Sequence, residues 1–341
     1  MRLPWSRRRT MTSAETPLAG AEVVLFDLDG VVYRGAGAIP HAVDSINAIE
    51  GARVGYLTNN ASRTDVSVAE HLSELGLRVE VSDVVTSPQA AVRLLAGLVP
   101  ESSTILVVGG DGLTTEVEAA GFTVTRSADD GPAAVIQGFA PHVAWTDLAE
   151  AAYAMHAVEG LPWVATNTDW TIPQARGTAP GNGTLVSAVH TAVGRLPVVA
   201  GKPEVAIYDE AFARFGSREA VMVGDRLDTD ILGANRSGIR SVMVLTGIDQ
   251  AKQVLAAVPD QRPTYIVDDL RALHAPYAVA ATETTSDGAV TAAGDAVVRR
   301  RGSVLSVERG SGVELLRAGA AAIWDSGLPI YGLEVPPELY S

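Results

Sequence analysis

The chain has 341 residues, 47% hydrophobic and 19% charged, with a formal net charge of −14 and no cysteine. That is enough sequence for two or three domains with filled cores, which excludes global disorder, and the acidic balance excludes a broad nucleic-acid surface, since that needs clustered Lys and Arg. Without Cys there is no disulfide framework or thiolate site, any metal has oxygen or imidazole ligands, and a reducing, cytoplasmic setting is expected; no run reaches the ~20 apolar residues of a membrane span.

Residues 1–20 read as a frayed basic tail: Arg7-Arg8-Arg9 is followed by a polar run where a targeting signal needs an apolar one, and Met11 is an alternative start. From Ala21 short β-rich runs alternate with amphipathic stretches, as in VVLFDLD, HAVDSINAIE, VGYLTNN, DVSVAEHLSELG and DVVTS. This rhythm predicts βα units around a parallel sheet, and it returns as AVMVGD, TDILGANRSG, SVMVLTG and YIVDD. Between the two blocks lies another α/β series, TILVVGG to WVATN. The expected organisation is an α/β, Rossmann-like core over 21–87 and 190–274, an inserted α/β cap over 88–189, and a small appended module of a few strands and one helix over 275–341.

The core runs end in polar residues: Asp27 and Asp29, then Thr58, Asn59 and Asn60, then Lys202, then Asp225. Ligands of open parallel sheets sit at the carboxyl ends of strands, so these ends are expected to meet. Asp27 and Asp29 in FDLDG repel each other unless a cation intervenes, and Gly30 permits the turn that brings them to one tip. Oxygen ligands favour Mg²⁺, which binds one or two carboxylates plus a substrate phosphate. Asp225 adds a third acid, Asp230 an acceptor near a helix start, Lys202 a cation and Thr58 a hydroxyl. Together they supply the parts for phosphoryl transfer.

These residues, DLDG at 27–30, Thr58 after a strand, Lys202, and GDRLDTD at 224–230, resemble in order the four motifs of the haloacid dehalogenase superfamily of phosphatases. TNN at 58–60, GKP at 201–203, the inserted cap and the stretch ATNTDWTIPQARGTAPGNG are similar to subclass IIA. The resemblance covers about 21–273. It implies that Asp27 is the nucleophile and forms an aspartyl-phosphate, and that Asp29 is the general acid and then base. It also implies that Mg²⁺ is held by Asp27, the Asp29 backbone carbonyl and Asp225, that Thr58, Asn59 and Lys202 bind phosphoryl oxygens, and that Asp230 orients the metal shell or Lys202. The resemblance further implies that an acid at position 29 separates phosphatases and mutases from dehalogenases and phosphonate-cleaving members. The cap would carry specificity in 167–183, with Asn167 and Asp169 at its start, Arg176 as an anion contact, and Gly181 and Gly183 allowing close approach. High Ala, Gly and Arg with little Lys resembles actinobacterial members, among which glycerol 3-phosphate phosphatases occur. That substrate is the expectation, beside phosphoglycolate, pyridoxal phosphate, nucleotide monophosphates and p-nitrophenyl phosphate.

Plainer readings compete. Asn59 also suits a turn cap, and Asp228 and Asp230 suit a helix start, with Asp228 solvated. VVGGDG at 107–112 lacks dinucleotide-loop spacing and reads as a tight strand-to-helix turn. His41 starts a helix, and His156 and His190 lie in helices without ligand spacing. Trp145 and Trp170 read as cap packing, with Trp170 the better substrate contact. Arg299-Arg300-Arg301 reads as a solvated strand face, and the module around it as structural or interacting, for example in a homodimer. The rivals to a phosphatase are a sugar phosphomutase and a non-catalytic phosphometabolite sensor, although a sensor does not need a nucleophile and an acid together.

Overall fold

The computed structural model describes residues 15–174 and 176–340. Six strands form a parallel sheet in the order Tyr265–Val267, Arg240–Val244, Ala220–Gly224, Val23–Phe26, Arg53–Thr58, Val84–Thr86. Val23, Val24, Leu25 and Phe26 are all buried, as in parallel strands covered on both faces. Leu25, Leu57 and Met222 pack under the helices Ser87–Ala96 and Val205–Phe215. Val24, Phe26 and Val223 pack under Ala42–Asn47 and Asp65–Glu74. The strand Val23–Phe26 lies between Arg53–Thr58 and Ala220–Gly224, so the strand order changes direction beside it, at the place where such sheets take ligands.

The cap is a second parallel sheet of five strands, in the order Val198–Val199, Trp163–Ala165, Ala134–Gln137, Thr104–Val108, Thr123–Thr125. Helices Trp145–Ala157 and Asn182–Val193 cover one face through Ala151, Met155, Val186 and Val189. On the other face Ile105 and Ile136 join the same apolar cluster as Leu25 and Leu57, through Ala91 and Leu95 of Ser87–Ala96. Cap and core thus share one hydrophobic core. The expected division at 189/190 falls inside the helix Asn182–Val193, and the cap extends to Val199, because the two-residue edge strand, too short to read by periodicity, pairs with Val164 and Ala165.

The appended module is a four-stranded antiparallel sheet, Ala281–Thr285, Gly288–Ala293, Ala296–Arg301 and Val304–Arg309, followed by the helix Gly312–Trp324. Leu315, Leu316 and Ile323 of that helix share a cluster with Val254, Leu255 and Ile266 of the core. The buried Arg317 donates from Nε to the Ile266 carbonyl at 2.9 Å and stacks on Tyr277. Arg299 and Arg301 both pair with Asp287, so the basic run is a charge-paired strand face. Of the stretch 1–20 read as a frayed tail, 1–14 lie outside the described residues, and the rest is not frayed: the Glu15 carbonyl accepts from Tyr277 N–H at 3.0 Å and the Pro17 carbonyl from Arg240 at 3.3 Å. No helix among the described residues is long and apolar enough to cross a membrane.

Candidate active site

The chain leaves Val23–Phe26 at Asp27, whose N–H is held by the Val223 carbonyl at 2.9 Å, and turns at Gly30 with φ +85°. A side chain at Gly30 would strike the Asp225 carboxylate at 2.3 Å, and one at Gly247 would strike it at 1.8 Å. Two glycines therefore make the niche in which Asp225, fully buried after Ala220–Gly224, can sit. Asp225 Oδ2 accepts from Ile248 N–H at 2.7 Å, while its Oδ1 has no hydrogen-bond partner.

Lys202 is 3% exposed and its Nζ donates to Asp27 Oδ1, to Asp230 Oδ1 at 2.7 Å and to the Leu57 carbonyl at 3.4 Å. It does not end a core strand, as expected, but lies between the cap strand Val198–Val199 and the helix Val205–Phe215. Asp230 sits in a π-helical turn, Leu227–Ile231, a rare form that recurs at functional sites. Its Oδ2 accepts from Arg226 N–H at 3.2 Å and its backbone carbonyl from the Tyr208 hydroxyl at 3.0 Å. Asp27, Asp225 and Asp230 bring one carboxylate oxygen each within 4.8 Å of one another. Asp228 stays exposed, as expected, and pairs with Arg226.

The electrostatics follow from burial. Desolvation, with repulsion from Asp27 and Asp230, pushes Asp225 up to about 8. Desolvation also lifts Asp230 to about 6 against the pull of Lys202, and raises Asp27. Burial opposes the charge on Lys202, but Asp230 and Asp27 more than reverse this and hold it well above the ordinary lysine range. One ammonium among three carboxylates leaves an excess of negative charge, and this oxygen-rich set, with Asp225 Oδ1 free of hydrogen bonds, fits a hard cation.

The DxD pair is unequal. Asp27 is partly buried, whereas Asp29 is exposed at its tip, and its carboxylate is not among the three clustered acids. Even so, enough atoms surround Asp29 that desolvation raises its pKa, with Arg63 and Lys202 pulling the other way. Arg63 is a charge that motif reading passed over, five residues beyond Thr58. Also passed over were the Ile248 amide and Asp249, whose carboxylate accepts from Leu227 N–H at 2.7 Å. Backbone donors leave no compositional trace.

Thr58 is buried and its Oγ1 accepts from Asn60 N–H at 3.1 Å, which keeps its own proton free to donate. The Asn59 side chain bonds Lys202 N–H at 2.8 Å, the Lys202 carbonyl at 3.0 Å and Asp169 at 3.2 Å. Both N–H groups of its side-chain amide are therefore used within the protein. Asn167 is buried and donates to the Asn59 carbonyl at 2.7 Å. Side chains at Gly181 and Gly183 would strike the Asp169 and Thr168 carbonyls at 2.2 and 2.3 Å, so their close approach is to the cap's own loop. Arg176 is exposed at the turn joining Thr171–Gln174 to Gly177–Pro180. Trp145 and Trp170 are 73% and 66% exposed and do not pack the cap.

Comparison with known proteins agrees with this geometry. Residues 24–123 match the family described as haloacid dehalogenase-like hydrolase, and 199–273 match its companion HAD-hydrolase-like family, stopping before the appended module. The chain is 44% identical over 307 residues to D-glycerol 3-phosphate phosphatase of Mycobacterium tuberculosis, spanning 89% of this chain and 86% of that one. It is 33% identical over 250 residues to the acid sugar phosphatase of Staphylococcus haemolyticus, spanning 72% and 92%. The crystal structure of glycerol phosphate phosphatase from M. tuberculosis in complex with magnesium superposes with a TM-score of 0.81 at 41% identity, covering 92% of this chain and 94% of that one. A p-nitrophenyl phosphatase from Archaeoglobus fulgidus has a TM-score of 0.68 at 26% identity over 74% and 98%. With its parallel core sheet, inserted cap and acid cluster, the chain belongs to the haloacid dehalogenase-like hydrolases and is a phosphoric monoester hydrolase of that family.

Proposed function

We propose that the chain hydrolyses a small phosphomonoester, glycerol 3-phosphate first among the candidates, through an aspartyl-phosphate on Asp27 with Mg²⁺ at the acid cluster. The observation that carries this reading is the joining of Asp27 to a buried lysine beside a buried carboxylate oxygen without a partner.

Asp27 attacks phosphorus as the bond from phosphorus to the leaving alkoxide breaks, and Asp29, at the open side, gives that alkoxide its proton. Asp29 then takes a proton from water, which attacks phosphorus and releases inorganic phosphate and the free Asp27 carboxylate. Lys202 offsets the charge of Asp27 as an anionic ester approaches, and with the Thr58 hydroxyl donates to the phosphoryl oxygens. Asp230 holds Lys202 by its second hydrogen bond. Mg²⁺, held by Asp27, the Asp29 backbone carbonyl and Asp225, would supply charge neutralisation at the phosphoryl group when bound. Arg176, exposed on the cap turn, is a candidate contact for the rest of the substrate.

Glycerol 3-phosphate is favoured because the relative named for it matches across 89% of this chain. Phosphate release should be measured over a panel of glycerol 3-phosphate, phosphoglycolate, pyridoxal phosphate, nucleotide monophosphates and p-nitrophenyl phosphate, with and without Mg²⁺. The expected result is Mg²⁺-dependent release with the highest kcat/KM on glycerol 3-phosphate. A different preferred ester would overturn the substrate, and no release from any of them would overturn the hydrolytic reading.

A further inference from the structure

The sequence reading gives Asn59 a phosphoryl oxygen and gives Asn167 and Asp169 the substrate. In the fold the three bond to one another and to the backbone of Lys202. Asn59 Oδ1 accepts from Lys202 N–H at 2.8 Å and Asn59 Nδ2 donates to the Lys202 carbonyl at 3.0 Å, so one side chain grips both polar groups of that residue. The same Nδ2 donates to Asp169 Oδ1 of the cap at 3.2 Å. The Asn59 carbonyl accepts from Asn167 Nδ2 at 2.7 Å and from the Ser87 hydroxyl at 2.8 Å. Gly201, one residue ahead, donates to the Thr166 carbonyl at 2.7 Å, and a side chain there would lie 2.6 Å from both that carbonyl and Asn59 Oδ1. Cap loop, Asn59 and the Lys202 backbone therefore form one close-packed joint.

We infer that Asp169 and Asn167 are cap-borne positioning residues which hold Lys202 in place through Asn59. Lys202 Nζ must keep Asp27 and Asp230 together, and small displacements of such a group are expensive in rate. A brace on Lys202 serves a step common to every ester. Its loss lowers kcat by the same factor for all of them, whereas loss of a specificity contact alters their relative kcat/KM. The kinetic consequence rests on the phosphatase reading; the structural one does not.

The chain contains two lysines, Lys202 and the exposed Lys252, so labelling with an amine-reactive reagent, read by mass spectrometry, reports access to Lys202 against an internal control. The variants are Asp169→Ala, Asp169→Asn, Asn59→Ala and the Asn59→Ala/Asp169→Ala pair, each checked by thermal unfolding. For Asp169→Ala we expect the Lys202:Lys252 labelling ratio to rise and kcat to fall, each by about tenfold, the scale of a lost hydrogen bond to a charged group. The fall in kcat should be equal on glycerol 3-phosphate and p-nitrophenyl phosphate, with KM nearly unchanged. Asp169→Asn retains a carbonyl that can accept from Asn59 and should stay near wild type. In the pair, Asp169→Ala should add little to Asn59→Ala, since both remove one bond. An unchanged labelling ratio in a folded Asp169→Ala protein overturns the proposal, as does a loss that differs between the two esters. If the wild type hydrolyses no ester, the functional reading fails and the labelling ratio still decides this one.

Discussion

The core site and the cap loop beside it are both marked by clustered polar residues, yet they carry their information differently. In the core, Asp27, Lys202, Asp225 and Asp230 converge on one point, and their types alone suggest a metal and a phosphoryl group. In the cap, Asn167 turns inward to the Asn59 backbone carbonyl and Asp169 to the Asn59 side-chain amide, and the groups left outward are Arg176 and Trp170. The difference teaches that a polar signature identifies a joint as readily as a binding surface. Only the list of hydrogen bonds separates the two.

That comparison can be broken most severely in the core. Asp27→Asn should reduce phosphate release by about 10⁴-fold or more, the scale for loss of an essential nucleophile, in steady-state assays on the preferred ester. Residual activity within tenfold of wild type would remove Asp27 from the chemistry. Asp29→Asn should lower kcat by about 10²–10³-fold on an alkyl phosphate and less on p-nitrophenyl phosphate, whose leaving group needs little protonation. Equal losses on both would contradict a proton-donating role.

A smaller effect tests the metal. Asp225 and Asp230 are pushed up to about 8 and about 6 from an ordinary 3.8. Groups whose folded pKa is raised contribute stability that is full at low pH and lost as pH rises through the folded values. The metal-free protein should therefore lose stability from about pH 4, where the same carboxyls titrate in the unfolded chain, up to about pH 8. Mg²⁺ takes the place of the protons, so its stabilising shift in Tm should grow over the same interval. A shift that shrinks as pH rises would argue against an ion at these carboxylates. The smallest effect belongs to the cap surface. Arg176→Ala should raise KM by about threefold to tenfold for an anionic or polyol phosphate and leave p-nitrophenyl phosphate nearly unchanged, as expected for an exposed contact worth about 1 kcal/mol.

Much of this was legible before any fold was seen. Alternating β-rich and amphipathic runs report a parallel sheet because each strand there must be apolar on both faces, and the apolar runs ending in Asp27 and Asp225 state where the active end lies. The appended sheet and helix were likewise visible as short strands and one amphipathic run. What could not be read depends on neighbours distant in sequence. The edge strand Val198–Val199 has too few residues for a period, and Trp145 and Trp170 have composition suited to a core but no partner to cover them. Ile248 contributes only a backbone N–H to Asp225. Asn59 looked equally suited to a turn or a phosphate, and its employment by Lys202 appears only once residues 143 apart in the chain are brought together.

The most direct test of the central claim is to trap the covalent species. Turnover of the preferred ester with Mg²⁺ should be quenched in acid and the protein reduced with borohydride, which converts an acyl phosphate to the corresponding alcohol. Homoserine is expected at position 27, found by mass spectrometry of the peptide containing FDLDG and absent without substrate. Rapid phosphate release with no reduced residue at position 27, or with reduction at Asp29 or Asp225 instead, would contradict it.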